Sequence, residues 1–252
     1  GTITVTASVD GKALNSDVAV TVPGSAKAGQ VLVVVNADGT ETIVKKSVSG
    51  KDGVTGLVAA NATVKVMDNS KTFSDTVGHW GADAISFVSS RELFNGVGGG
   101  LFAPERRMTR AMLVTVLYRL ESASAKAADG KFSDVSADYW CADAITWAAD
   151  NGIVGGYADG SFGPEKDITR EQMAAMLYRY AKYMGMDTGV SGDLSKFSDK
   201  ASVSAFAQDA MQWAVGNGII AGTSNGTLNP GGYATRVQVA VMFQRMVALM
   251  VR

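Results

Sequence analysis

An internal repeat constrains the fold of this chain more than any other feature of its sequence. Three segments align on the triplet Phe-Ser-Asp, which begins at Phe73, Phe132 and Phe197. Each triplet is followed by two aromatic positions, a glycine-rich loop, a proline and a Thr-Arg pair: Trp80, Phe87, Pro104 and Thr109-Arg110; Trp140, Trp147, Pro164 and Thr169-Arg170; Phe206, Trp213, Pro230 and Thr235-Arg236. Because one such repeat cannot bury its own hydrophobic face, the copies are predicted to pack around a common axis.

The apolar spacing predicts two helices in each repeat. In repeat two, Trp140, Ala144 and Trp147 share one face of the first helix, and Asn151-Gly152 ends it. A turn pair then occupies the same column of each loop, at Gly99-Gly100, Asp159-Gly160 and Asn225-Gly226.

The second helix of each repeat is predicted to begin at the threonine. Thr169 with Gln172, and Thr235 with Gln238, fit a capping box, in which the threonine hydroxyl accepts a hydrogen bond from a helix amide and the glutamine bonds back. Repeat one has Met112 in place of the glutamine. The predicted fold class is mainly α, with three helix-loop-helix repeats.

The first 70 residues have a different pattern, which predicts β structure. Thr2 to Thr6 and Thr63 to Val66 alternate between polar and apolar residues, and Val31 to Val35 resembles a buried strand. Asp-Gly pairs, which favour tight turns, separate the runs at Asp10-Gly11, Asp38-Gly39 and Asp52-Gly53. We expect a small all-β, sandwich-like unit at the N-terminus.

These patterns divide the chain into segments. The β-rich unit covers 1–70, and the repeats cover 71–121, 130–185 and 195–252. Polar and small residues at Glu121 to Lys131 and at Gly185 to Lys196 are predicted to be linkers between the repeats.

Composition excludes several classes of protein. The 252 residues carry 24 acidic and 23 basic side chains, a balance that gives no field to attract nucleic acid. No stretch reaches the roughly 20 apolar residues of a membrane-spanning helix. The N-terminus lacks the basic and apolar regions of a signal peptide, so the chain is expected to be a fragment or a mature product. We predict neither nucleic-acid binding nor membrane insertion.

Few residues are available for catalysis or for a metal site. Cys141 is the only cysteine and His79 the only histidine, which excludes an internal disulfide and a multi-cysteine or multi-histidine metal site. The triplet aspartates Asp75, Asp134 and Asp199 are interpreted as turn or capping residues. Each acidic candidate recurs once per repeat, which favours binding over catalysis. No catalytic residue, metal or cofactor is predicted.

The arginine after each threonine is the best candidate for ligand binding. Arg110, Arg170 and Arg236 lie where helix amides and the helix dipole favour an anion, and a guanidinium can hold a carboxylate through two hydrogen bonds. In the alternative interpretation, each arginine forms a salt bridge with an acidic side chain of another repeat and only holds the repeats together. The tryptophans and methionines at helical spacing are interpreted mainly as core residues.

The repeats resemble the S-layer homology family, repeat two most clearly. The resemblance rests on Phe-Ser-Asp-Val at Phe132, Gly-Tyr-Ala-Asp-Gly-Ser-Phe at Gly156, the proline Pro164, and Ile-Thr-Arg-Glu-Gln at Ile168. It implies a pseudo-threefold helical assembly whose inter-repeat grooves bind a secondary cell-wall polymer attached to peptidoglycan, often one with pyruvylated amino sugars. It also implies a location at the cell surface, in the cell wall or S-layer.

The resemblance assigns binding roles to particular positions. The three arginines are the main contacts for a carboxylate, with further groove contacts at Gly96, Gly156, Gly222, Tyr157, Ser161 and Thr227. The chain departs from the family because Met112, Gln172 and Gln238 replace the signature glutamate, and because repeat one has Val97 and three glycines where repeat two has Tyr-x-Asp-Gly. We therefore expect Arg110 to matter less than Arg170, since its own loop lacks those side chains.

The combined prediction is a non-catalytic anchor that tethers a larger surface protein to a Gram-positive-type wall and is monomeric when isolated. The structural alternative is a component of the surface lattice whose repeats contribute to self-assembly. An enzymatic domain would have to lie upstream of Gly1.

Overall fold

The structure, a computed structural model, describes residues 1–6, 8–9, 12–13, 17–24, 27–124 and 130–252. The predicted turn at Asp10-Gly11 and part of the predicted linker between repeats one and two lie outside these residues. The described residues form a β-rich N-terminal region followed by helical repeats, as the sequence predicts. Every described helix falls short of what a bilayer crossing requires.

The N-terminal region is built from short antiparallel strands. They are β1 (Ile3–Thr4), β2 (Ser8–Val9), β3 (Lys12–Ala13), β4 (Asp17–Pro23), β5 (Gln30–Val35), β6 (Glu41–Ile43), β7 (Ser47–Gly50), β8 (Gly53–Ala59) and β9 (Thr63–Asp68). One sheet has the order β1-β9-β5-β6, a second has the order β4-β8-β7, and β2 pairs with β3. Strand β4 pairs along its full length with β8, from Asp17 opposite Ala59 to Pro23 opposite Gly53.

Apolar side chains of the two larger sheets meet in one buried cluster. Val22 of β4 and Val54 and Val58 of β8 pack with Leu32 of β5 and Val64 of β9. The turns predicted at residues 38–39 and 52–53 join β5 to β6 and β7 to β8. The predicted all-β unit is therefore present, and its two sheets share a core.

Six α-helices are found in the described part of the repeats, two in each, together with short 3-10 helices at Ser74–Thr76, Lys200–Ser202 and Ala205–Ala207. The α-helices are α1 (Ala82–Ser90), α2 (Arg110–Leu120), α3 (Ala142–Asp150), α4 (Arg170–Tyr183), α5 (Gln208–Gly216) and α6 (Arg236–Met250). The second helix of each repeat begins one residue after the threonine, as predicted. The first helix of repeat two begins later than the apolar pattern indicates, because Cys141 has a non-helical backbone, so Trp140 precedes the helix.

The capping box is complete only in repeat two. There the amide of Gln172 donates to the Thr169 hydroxyl at 3.3 Å, and the Gln172 side chain accepts from the Thr169 amide at 3.3 Å. Repeat one keeps the half centred on Thr109. In repeat three the glutamine half is present, but the buried Thr235 hydroxyl has no hydrogen-bond partner among the described residues, so the predicted box is wrong there.

The residues Gly1–Pro104 and Ala240–Arg252 form one compact unit. Within it, Arg91 at the end of α1 is fully buried. Its Nε donates to the carbonyl of Ser47 at 2.6 Å and its Nη2 to that of Gln30 at 3.2 Å, while Nη1 donates to the carbonyl of Phe87 at 3.2 Å. Burial lowers the pKa of Arg91 to about 9, so the group is still charged at neutral pH. Arg91 thus fastens α1 to the β strands.

Repeats two and three have asparagine and glycine where repeat one has Arg91-Glu92. Asn151 and Asn217 each donate to the carbonyl four residues earlier, at 2.8 and 2.9 Å, as Arg91 does through Nη1. Glu92 adopts φ +57°, close to the +67° of Gly152 in the same column. The first helix of repeat one therefore ends with the same backbone geometry as in the other repeats, and Arg91 adds hydrogen bonds to the β unit.

The second compact unit covers Glu105–Val239. Its main helix contacts join α2 to α3 and α4 to α5, so the second helix of one repeat packs on the first helix of the next. The ring of Tyr118 meets that of Trp147 at 5.8 Å, and Tyr178 meets Trp213 at 5.6 Å between ring centroids. Aromatic side chains therefore fill both junctions.

Three short segments before the second helices form a closed ring within this unit. The amide of Met108 donates to the carbonyl of Ala234 at 3.0 Å, that of Ala234 to Ile168 at 3.0 Å, and that of Ile168 to Met108 at 2.9 Å. All three side chains are buried. Each repeat thus supplies one equivalent segment to a cyclic hydrogen-bond network.

The stretch between repeats two and three packs against α5 and is more than a spacer. The amide of Gly192 donates to the carbonyl of Gln212 at 2.8 Å, and the indole of Trp213 donates to the carbonyl of Asp187 at 3.2 Å. A Cβ at Gly192 would lie 2.4 Å from the backbone nitrogen of Gly216, so both segments need small residues where they meet. Close packing therefore explains the small residues in this stretch.

Candidate functional site

The loop of each repeat is fixed by the aspartate of its own Phe-Ser-Asp triplet. Each carboxylate accepts hydrogen bonds from two consecutive loop amides at 2.7 to 2.9 Å: Asp75 from Phe102 and Ala103, Asp134 from Phe162 and Gly163, and Asp199 from Leu228 and Asn229. The sequence interpretation as a local turn or helix cap is therefore wrong, since the amides lie almost 30 residues away along the chain. The aspartates shape the loops that carry the predicted site residues.

The predicted groove glycines lie against the phenylalanine of the same triplet. A Cβ at Gly96 would come within 2.8 Å of the Phe73 ring, and one at Gly156 within 2.7 Å of Phe132. At Gly222 the distance to the corresponding ring is 2.5 Å. Glycine is required at these positions because the ring packs directly on the loop backbone.

The guanidinium of Arg110 lies on the loop of repeat two. Its Nε donates to the carbonyl of Phe162 at 2.9 Å and its Nη2 to that of Gly155 at 3.1 Å. Its Cζ is 4.9 Å from the ring centroid of Tyr157 and 4.6 Å from that of Phe162. These residues, together with Lys166, form what we call the first arginine site.

The guanidinium of Arg170 makes the same contacts to the loop of repeat three. Its Nε donates to the carbonyl of Leu228 at 2.8 Å and its Nη2 to that of Ala221 at 3.1 Å. We call Arg170 and this loop, with Thr223 and Thr227, the second arginine site. Arg110 and Arg170 each bond to the loop of the following repeat. The loop of repeat one is therefore no reason to expect weaker binding at Arg110.

Arg110 and Arg170 are buried cations that form no ion pair with a described residue, although the charges of Asp134 and Asp199 act to raise the pKa of Arg110 and of Arg170, respectively. Each is only 5% exposed, and burial lowers the pKa of both side chains. Among the described residues no carboxylate lies within salt-bridge distance of either guanidinium, and the hydrogen bonds of both arginines to the following repeat go to backbone carbonyls. The bonded Nε and Nη2 share one edge of the guanidinium, and no described group accepts a hydrogen bond from Nη1.

Two of the predicted groove hydroxyls bond within their own loops. The amide and hydroxyl of Ser161 donate to the carboxylate of Asp159 at 2.9 and 2.6 Å, and these bonds lower the pKa of Asp159. Thr227 shares a hydrogen bond of 2.7 Å with the hydroxyl of Thr223, which stands in the column of Tyr157. The loop of repeat two thus presents an aromatic ring where repeat three presents a hydroxyl pair.

The remaining predicted site residues occupy the equivalent positions of repeats one and three. Arg236 begins α6 and is 7% exposed. Gly96 lies in the loop of repeat one, where Val97 donates to the carbonyl of Leu101 at 2.8 Å and the three intervening glycines all have positive φ. Val97 and Leu101 are exposed, so this loop has an apolar surface.

The aromatic residues before the first helices are exposed. Trp80, Trp140 and Phe206 are 67%, 57% and 56% exposed, whereas Trp147 and Trp213 are buried. The core interpretation of Trp80 and Trp140 is wrong because both precede the helix and do not lie on its inner face.

The buried thiol of Cys141 fits the small-residue column that the sequence indicates. Burial raises its pKa to about 12, which makes it unreactive at neutral pH. No cluster of three or more metal-ligating side chains occurs in the part of the chain that the structure describes.

Comparison with known proteins identifies the repeats. A family model described as the S-layer homology domain matches residues 72–111, 131–174 and 196–240, which confirms the three predicted copies. The chain is 32% identical over 201 residues to an amylopullulanase of Thermoanaerobacterium thermosulfurigenes, covering 77% of this chain and 11% of that protein. It is 31% identical to the surface-layer 125 kDa protein of Lysinibacillus sphaericus, covering 77% of this chain and 16% of that protein.

A third relative is the cellulosome-anchoring protein of Acetivibrio thermocellus, which is 30% identical over 60% of this chain and 34% of its own length. The chain thus spans about a tenth to a third of these relatives. The presence of surface-layer and anchoring proteins confirms the predicted cell-surface, cell-wall location and supports a surface-anchoring role. Because the three matches to this family model cover about half of the residues of this chain, the chain belongs to the S-layer homology family.

Proposed function

We propose that this chain is a non-catalytic anchor that holds a larger surface protein to the wall by binding an anionic, pyruvylated secondary cell-wall polysaccharide. Arg110, Arg170 and Arg236 take the carboxylates of the polymer. The loops that carry Gly96, Gly156 and Gly222 position its sugars, with Tyr157, Ser161 and Thr227 at their surfaces.

One observation carries this proposal: the guanidinium groups of Arg110 and Arg170 are buried and charged, and their hydrogen bonds go only to neutral carbonyls. Such a charge is incompletely compensated inside a protein. A carboxylate at the edge formed by Nη1 and the second Nη2 hydrogen would supply the missing charge through two hydrogen bonds. Both residues also begin a helix, whose dipole favours an anion.

A pseudo-threefold arrangement of the three repeats belongs to the same proposal. The cyclic hydrogen bonds among Met108, Ile168 and Ala234 support it, because each repeat contributes an equivalent segment. Several weak sites on one anchor would raise the avidity for a repeating polymer well above that of a single site. The isolated chain acts as a monomer in this account.

The nature of the tethered protein is suggested by the relatives. This chain matches only 11% of the length of the Thermoanaerobacterium amylopullulanase and 19% of the length of an endoglucanase of Bacillus sp.. These short matches support a role as one module of a larger chain. A second candidate function, a component of the surface lattice, is favoured by the similarity to a surface-layer protein. Sedimentation separates the two: an anchor stays monomeric without polymer, whereas a lattice component self-associates.

A wall pull-down tests the anchoring function. The wild-type chain is expected to sediment with purified walls and to lose this binding after chemical release of the polymer from peptidoglycan. The double variant Arg110→Ala/Arg170→Ala should remain largely in the supernatant. The control Arg245→Ala removes one positive charge from an exposed position on α6 and should bind normally. Binding that survives polymer release would point to peptidoglycan or protein and would contradict the proposal.

A further inference from the structure

The first arginine site contains a second cation that the second site lacks. The Nζ of Lys166 lies 4.0 Å from the ring centroid of Tyr157, and the Cζ of Arg110 lies 4.9 Å from the same centroid. The ring of Tyr157 therefore contacts two cations. In repeat three the columns of Tyr157 and Lys166 hold Thr223 and Gly232, so the second site has one cation and no such ring.

Lys166 packs against the loop of repeat two, and its charge interacts with that of Asp159 without an ion pair between them. A Cβ at Gly163 would lie 2.8 Å from Lys166 Cδ and 2.9 Å from Tyr157 Cε2, so stem and ring both pack on this glycine. Lys166 makes no side-chain hydrogen bond or ion pair with a described residue. The acidic groups of the site, Asp134 and Asp159, bond to loop amides.

From this geometry, and resting on the proposed anchoring function, we infer that the two arginine sites select different units of the polymer. The first site binds a sugar unit that carries two anionic groups, one held by Arg110 and one by Lys166. The second site binds a unit with one anionic group, held by Arg170. Lys166 is the residue that determines this specificity, because an anion without a partner in the second site would lose water without gaining a bond.

Calorimetry with two synthetic probes tests this inference. One probe is the methyl glycoside of an amino sugar with a single pyruvate ketal, and the other adds a phosphate monoester to the same glycoside. The Arg170→Ala/Arg236→Ala background leaves the first site as the one to be measured. There, Lys166→Met should weaken binding of the doubly charged probe about tenfold, the effect of losing one charge-assisted hydrogen bond, and change that of the singly charged probe less than about twofold.

A matched control separates this role from a general loss of charge. Lys182 lies 4.3 Å from the ring centroid of Tyr178 on α4, a similar cation-aromatic pair outside both loops. Lys182→Met should leave the affinity for both probes unchanged. An equal loss in Lys182→Met and Lys166→Met would overturn the inference, because it would reveal only a nonspecific charge effect.

The reciprocal experiment transfers the specificity. Thr223→Tyr, Asn229→Gly and Gly232→Lys together rebuild the first site in repeat three, and Asn229→Gly suits the backbone because Asn229 has φ +50°. The Gly232→Lys change needs it, since a Cβ at Gly232 would lie 2.2 Å from Asn229 Nδ2. In the Arg110→Ala/Arg236→Ala background, the triple variant should gain about tenfold for the doubly charged probe.

The outcomes distinguish the inference from the function on which it rests. If the wild type binds neither probe, the proposed function fails. If it binds both and Lys166→Met binds them as the wild type does, the inference alone fails. A tenfold loss confined to the doubly charged probe supports both.

Discussion

Two regions of this protein contain buried arginines, and their hydrogen bonds differ. Arg91 in the first unit donates to carbonyls from Nε, Nη1 and Nη2, on both the β strands and α1. Arg110 in the second unit donates from Nε and Nη2 alone, although it too is buried. Neither forms an ion pair with a described residue. The difference is that hydrogen bonds leave all three nitrogens of the Arg91 guanidinium but only Nε and Nη2 of Arg110.

This comparison separates a structural arginine from a binding one. Burial by itself does not distinguish them, because every buried charge needs hydrogen bonds. A fully bonded guanidinium gains nothing from a ligand, whereas one with an unused edge can bond to a carboxylate. Substitution should therefore affect mainly folding at Arg91 and mainly ligand affinity at Arg110 and Arg170.

The largest effect is expected from Arg91→Met. The variant removes the Arg91 hydrogen bond to the carbonyl of Ser47 and leaves that of Gln30 with the Ser49 hydroxyl as a donor, and we expect the free energy of unfolding to fall by about 3 to 5 kcal/mol. A urea titration followed by circular dichroism measures this change. Asn151→Ala is the matched control, because it removes one bond at the equivalent helix end and should cost about 1 kcal/mol. A cost below about 1 kcal/mol for Arg91→Met would break the comparison.

Arg110→Ala and Arg170→Ala should affect ligand affinity more than the free energy of unfolding. Each variant should weaken binding of a singly pyruvylated sugar at its own site by about ten- to a hundredfold, and lower the free energy of unfolding by only about 1 to 3 kcal/mol. Arg110 should matter at least as much as Arg170, because it lies on the loop with Tyr157. Lysine at either position should fall between arginine and alanine, since it keeps the charge without the planar fork. Unchanged affinity in a destabilised variant would make these arginines structural, like Arg91.

The helix-capping threonines offer the same comparison on a smaller scale. Thr169 accepts a hydrogen bond, whereas the hydroxyl of Thr235 is buried without a partner among the described residues. Thr169→Ala should therefore lower the free energy of unfolding by about 1 kcal/mol. Thr235→Ala should change it by less than about 0.5 kcal/mol, because no bond is lost. Equal costs in parallel denaturant titrations would show that bonding does not decide the effect.

The smallest expected effect concerns the residue after Arg91. Glu92 has φ +57°, in a region that glycine adopts without strain. Glu92→Gly should stabilise the chain by about 0.5 kcal/mol, the relief of strain less the entropy of glycine. The opposite change in the same column, Gly152→Ala, should destabilise it by about 1 kcal/mol. Destabilisation by Glu92→Gly in a urea titration would indicate that the Glu92 side chain supports the Arg91 contacts.

The features that the sequence predicts correctly are local or repeated. Helix starts at Thr109 and Thr169 follow from capping chemistry, and the turn at Asp38-Gly39 follows from its two residues. The buried second aromatic column follows from helical spacing. These features depend on neighbours a few positions away, so a single sequence contains the information needed.

The features that it misses depend on how one repeat meets the next. Nothing within repeat one indicates that Arg110 bonds to the loop of repeat two, because that contact depends on the register of packing between repeats. The aspartate of each triplet reaches loop amides almost 30 residues away, which a local reading of Asp134 cannot reveal. Arg91 was a visible departure from the Asn-Gly pattern, and this departure is the signal that could have identified its special contacts.

The central claim is that a buried guanidinium with an unused edge binds a carboxylate of the wall polymer. The most direct measurement is calorimetry of the wild-type chain with one pyruvylated oligosaccharide and with the same oligosaccharide lacking the carboxylate. We predict that loss of the carboxylate weakens binding at least about tenfold, the effect of losing a charge-assisted hydrogen bond. Equal affinities for the two oligosaccharides would contradict the account.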